Sequence, residues 1–231
     1  MRRRLRRRAK FNVEAFLGLA VVTRHPPPLT TSKTVYNSFS RLFITLQRRF
    51  PPFANDWGFV DRVFLKEDLL HKLIPQETSA PLLVRRIREA DDATISGGRE
   101  IGEPGVFALI RGGLYYAVDA IHEAHAVFQE ASGDLGSYWH GMMHRREGDF
   151  ENARYWFRRA GTLGFFDSLH HAASEHSAVM ARQSNWDPDL FTGECEQARF
   201  GAEEGLKELA ALQLIEFEGV FDYSWRKSAL G

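Results

Sequence analysis

One cysteine, Cys195, occurs in 231 residues, so an internal disulfide and a cysteine-built zinc site are both excluded. A single thiol is what a reducing compartment such as the cytoplasm accommodates. No run of about 18 apolar residues occurs, and no transmembrane helix is expected. Gly-x-Ser-x-Gly is absent, which removes the common serine-hydrolase elbow. Ser96-Gly97-Gly98 has neither a strand before it nor a Lys-Ser/Thr after it, so it reads as a loop and not as a phosphate cradle. From Val106 onward there is no strand signature.

Net charge is also lacking, at +0, but the balance conceals two compositions. Residues 1–55 carry twelve Lys or Arg against one acid, Glu14, whereas the remainder carries 18 basic and 29 acidic residues. Arg2, Arg3, Arg4, Arg6, Arg7 and Arg8 repel one another and build no core. Residues 1–55 are therefore expected to be a basic extension, and residues 56–231 a single α-helical domain. The extension reads as disordered chain, as a targeting segment (organellar, given its Arg-rich, acid-poor composition) or as translation upstream of a later start. Nucleic acid would be bound only through it, without sequence specificity. No methionine occurs between Met1 and Met142.

Apolar residues between Phe59 and Ile74 recur at helical spacing, and Pro75 ends them. A second helix is expected over Pro81–Ala90, one over Phe165–Arg182, one opened by Asp187-Pro188, and a last one over about Ala202–Phe217. The aromatics Phe221, Tyr223 and Trp225 follow as a tail that docks on the bundle or joins an interface.

The densest stretch is Gly136 to Gly161, which reads as helix, tight turn at Gly148-Asp149, and helix. Asp149 is placed to N-cap the second helix, Arg158 and Arg159 lie in its last turn, and Gly161 ends it. Gly141, Gly148, Phe150, Ala153, Phe157 and Ala160 follow the small–turn–aromatic–small spacing of tetratricopeptide hairpins. Gly112, Tyr115, Ala124, Phe128 and Ala131 repeat part of it 29 residues earlier. Small residues let two helix axes approach, and the phenylalanine fills the gap. Residues 106–161 therefore resemble two tetratricopeptide-like hairpins. The fold expected is all-α, a helical array containing those hairpins.

Gly136-Ser-Tyr-Trp-His140 with Met143-His-Arg-Arg-Glu147, then Asn152-Ala and Tyr155-Trp-Phe-Arg-Arg159, resemble a family of bacterial and fungal proteins. Glu123-Ala-His125 and Trp186-Asp-Pro188 are similar to the same family, so the resemblance covers about residues 105–200. No established activity accompanies it, so it implies a related fold and nothing about chemistry.

Chemistry concentrates in the histidines, seven of nine lying between His122 and His176. His140 and His144 are four apart on one helix face, where both rings can reach one ion. Gly141 stands where a zincin would carry its glutamate. His125, on the preceding hairpin, is the expected third metal ligand, and Glu123 or Glu147 the expected catalytic base. Arg145, Arg146 and Arg158, with Trp139 and Trp156, are expected to bind a ligand's phosphate or carboxylate and its planar surface. The competing expectation makes the histidines packed polar residues and the arginines surface ion pairs. Two functions follow. One is a binding or scaffolding module for a protein or small-molecule partner, which needs no cofactor. The other is a hydrolase, or another small-molecule enzyme, dependent on a divalent metal such as zinc, manganese or iron.

Overall fold

A computed structural model of the chain describes residues 70, 72–78, 80–199 and 203–229. The described residues form an all-α array. In order they are α1 (Pro81–Glu89), α2 (Asp92–Ser96), α3 (Pro104–Ala117), α4 (Ile121–Phe128), α5 (Gly133–Glu147), α6 (Phe150–Ala160) and α7 (Phe166–Ser174). After these come a 3-10 turn (Met180–Arg182), α8 (Pro188–Ala198) and α9 (Glu203–Ser228). Strands are absent among the described residues apart from an isolated bridge between Ile101 and Ala229. None of these helices is long and apolar enough to cross a membrane.

The array is organised around α5, buried on every side from Leu135 to Arg146. α3 with α4, and α5 with α6, make consecutive antiparallel hairpins, and α4 also packs on α5. α9 lies across α3 and α7, while α8 covers α6. The spacing argument for the hairpins rests on close helix approach, and the contacts behind it are present. A Cβ at Gly112 would lie 2.4 Å from the Phe128 ring, and one at Gly141 would lie 2.8 Å from the Phe157 ring. Each hairpin thus seats the phenylalanine of its second helix on the glycine of its first, and alanine would displace the ring.

The turns differ chemically. Gly148 closes the second hairpin at φ 82°, a left-handed conformation natural for glycine. The first hairpin places Asp119 at φ 59° instead. An aspartate tolerates this region better than most side chains, and here its carboxylate accepts a hydrogen bond from Arg146 inside the core. Asp149 caps α6 through Asn152 N at 3.2 Å, and Asp187 caps α8 through Asp189 N and Leu190 N.

Three expectations change. The helix expected over Phe165–Arg182 is two pieces, because the chain turns after Ser174 with both His176 N and Ser177 N donating to Ala173 O. α9 does not stop at Phe217 but runs on to Ser228. Gly219 fits within it against Leu169, and continuation buries Phe221 and Trp225. Its roughly 1 kcal/mol helix penalty is smaller than the gain from burying two aromatics. A short α2, capped by Asp91, forms ahead of the glycine loop where no helix was expected. The helix expected over 59–74 lies almost wholly outside the described residues, as does the whole basic extension.

Candidate metal centre

Three imidazoles converge where the two hairpins meet. His125 comes from α4; His140 and His144 come from adjacent turns of α5. One nitrogen from each ring lies within 4.8 Å of the other two. His125 Nε2 and His140 Nε2 are 3.3 Å apart. Two nitrogens on one tetrahedral zinc, each about 2.0–2.1 Å from it, stand about 3.4 Å apart. The first pair is therefore already at ligand spacing, and the set is at most about 1.4 Å wider, a side-chain adjustment.

The local packing explains the convergence. His140 stacks on His144 at 4.7 Å and 14°, as an i, i+4 pair on one helix face should. Trp156 of α6 stacks on His140 at 4.1 Å and 23°. His125 meets both α5 rings edge-on, at 5.1 Å from each. His140 and His144 are buried, whereas the His125 side chain is 32% exposed and supplies the solvent side.

Glu147 sets the protonation pattern. Its Oε1 lies 3.3 Å from His125 Nδ1 and its Oε2 lies 3.2 Å from His144 Nδ1. A carboxylate accepts, so both Nδ1 atoms carry the hydrogen and both Nε2 atoms keep a lone pair for a cation. A carboxylate orienting ligating histidines is the usual outer partner in metal centres. Asn152 Nδ2 stands 3.1 Å from His144 Nε2 and 3.5 Å from its Nδ1. In-plane lone pairs on the two ring nitrogens point away from each other, so an atom near both lies over the ring face. Asn152 thus leaves the in-plane Nε2 direction open.

Burial keeps His140 and His144 neutral. Burial, then the neighbouring His144 and His125, push His140 down to about 4. Burial likewise lowers His144, against the raising influence of Glu147. Neutral imidazole is the ligating form. The linkage sign follows: with its folded value below the unfolded one near 6.5, His140 takes up a proton more readily when unfolded. The metal-free protein is expected to lose stability as pH falls from about 6.5 toward 4. Urea midpoints across that range should fall more steeply than those of a His140→Gln variant, and parallel curves would exclude the effect.

The remaining expected site residues are dispersed. Arg145, Arg146 and Trp139 are buried and unavailable to a ligand. Arg145 pairs with Glu216 and Arg146 with Asp119, while Trp139 Nε1 donates to Ser224 Oγ at 2.9 Å. The ligand-binding expectation is corrected for these three, because α5 buries its whole circumference. Glu123 accepts a hydrogen bond from Arg88 at 2.9 Å. Glu147 faces Nδ1 edges rather than the Nε2 side. Arg158 is exposed near the end of α6. His170, His171 and His176 lie on or just after α7, apart from the cluster. Asn152 was not singled out for the site, and Arg159 was placed in the last turn of its helix. Their signal was the 152–156–159 spacing, which puts both on the Trp156 face of α6. Comparison with family models, curated proteins and solved structures gives no match, so geometry alone carries the reading.

Proposed function

We propose that the protein is a metal-dependent hydrolase whose centre is His125, His140 and His144. The observation that carries this is the 3.3 Å Nε2–Nε2 approach of His125 and His140, with Glu147 holding the Nδ1 edges of His125 and His144. Two bare lone pairs at that distance repel unless a proton or a cation lies between them. Three imidazoles favour zinc or a neighbouring transition metal over magnesium or calcium, which prefer oxygen. Three protein ligands leave a fourth position open, the arrangement of catalytic rather than structural zinc. An ion held by these three residues would supply Lewis acidity, lowering the pKa of a water on it to about 7 and polarising a carbonyl or phosphoryl oxygen. The chain's own part is to fix ring orientation through Glu147 and to keep two ligands neutral by burial.

Purified metal-free protein should take up one equivalent of zinc and melt at higher temperature with it. At free zinc about 1,000 times the dissociation constant, the gain is about 4 kcal/mol. Absence of uptake, with unchanged melting on adding zinc, manganese or iron, would sink the reading. The second reading is a partner-binding module, favoured by the exposed Leu82 on α1 and the half-exposed Tyr155 on α6. It gains if zinc is not taken up and the protein is recovered with a stoichiometric partner.

A further inference from the structure

We infer that the open side of this centre takes a planar organic carboxylate, an inference that rests on the metal reading above. Charge makes the first argument. All three proposed ligands are neutral imidazoles, so no ligand would cancel the charge of a divalent ion, and Glu147 would offset only part of it from behind the Nδ1 edges. Acidic groups nearby are already committed elsewhere. Glu147 faces the Nδ1 edges, Glu123 is held by Arg88, and Asp149 lies 4.0 Å from His144 Nδ1 while capping α6. The open position therefore favours an incoming anion over a neutral group.

The rim makes the second argument. Asn152, Trp156 and Arg159 lie at i, i+4 and i+7 on α6 and form one stripe alongside the histidines. Asn152 is level with His144, and Trp156 is level with His140. Arg159 lies one turn further, its guanidinium 5.5 Å from the Trp156 ring centre. It is exposed, and no described residue holds it in an ion pair. Tyr155 meets Trp156 edge-on at 5.4 Å and is half exposed. One face of Trp156 is taken by His140, so what the stripe offers is the part-exposed remainder of that ring, the half-exposed Tyr155 beside it, and an available cation at its end. A flat, anionic ligand suits that surface, with its carboxylate facing the metal and Arg159. A tetrahedral phosphate would use the charge and leave the rings unused.

The test uses the full chain loaded with cobalt(II), whose visible absorption reports a changed ligand. It is titrated with benzoate, acetate and inorganic phosphate. Benzoate is expected to give a saturable shift at least about fivefold tighter than either other anion, the margin one ring contact supplies. Arg159→Gln should weaken benzoate about fivefold with metal content unchanged, and Tyr155→Ala should narrow the benzoate–acetate margin. Phosphate binding tighter than benzoate, no anion response in metal-loaded protein, or an unchanged Arg159→Gln would overturn the inference. Failure to load cobalt or zinc would overturn the metal reading instead.

Discussion

Replacing Glu216 with alanine is expected to destabilise the protein by about 3–5 kcal/mol, the cost of leaving a buried charge without its partner. Glu216 of α9 is wholly buried and accepts both Arg145 guanidinium branches of α5. It also accepts from Tyr138 Oη at 2.8 Å, which in turn accepts from Trp186 Nε1 at 2.7 Å. Removing it strands the guanidinium between the Phe157 and Phe191 rings, 5.5 and 4.4 Å from their centres, with no carboxylate. In a chain of this size the melting temperature should fall by roughly 10 °C. The double replacement Arg145→Met with Glu216→Leu should recover part of that loss, since the apolar pair leaves no unpaired charge and strands only the Tyr138 hydroxyl hydrogen. A Glu216→Ala variant that melts within a degree or two of the parent would show that packing alone locks α5 against α9. Because Arg145 follows His144 directly, the single variant should also loosen the histidine cluster.

That ion pair is also where sequence reading stops. Arg145 and Arg146 looked like ligand-binding or surface residues because adjacent arginines at a helix end usually are. Their burial depends on Glu216 and Asp119, 71 and 27 residues away, and no local pattern announces such a pairing. The histidine cluster was more legible. Four-residue spacing puts His140 and His144 on one face, and antiparallel hairpins bring His125 of α4 against that face. Glycine-on-phenylalanine packing was legible for the same reason, since both partners sit within one hairpin. The ring tautomers were not legible. They depend on which edge Glu147 faces, a three-dimensional fact that turned an expected base into an orienting group. The continuation of α9 past Gly219 was hidden too, because a glycine inside a helix reads as a stop until the aromatics beyond it are seen to be buried.

Whether those histidines are ligands is decided by graded substitutions. A structural zinc site of four ligands is worth about 10–16 kcal/mol, or roughly 3 kcal/mol per ligand. His140→Ala is therefore expected to weaken zinc binding by about two orders of magnitude or more, measured by competition with a chelator of known affinity. Glu147→Gln keeps the shape but loses the charge, and presents an amide N–H₂ to one of two Nδ1–H groups that need an acceptor. It should weaken zinc by about 10–100-fold, the usual penalty for losing an outer partner of a ligating histidine. The order is diagnostic. Equal losses in the two variants would make Glu147 a direct ligand, with the ion nearer the Nδ1 edges. No loss in His140→Ala would remove it from the centre, leaving His125, His144 and Glu147 to hold whatever binds. If neither variant changes an affinity that is already negligible, the three rings are packed polar residues, with a proton rather than an ion between His125 and His140.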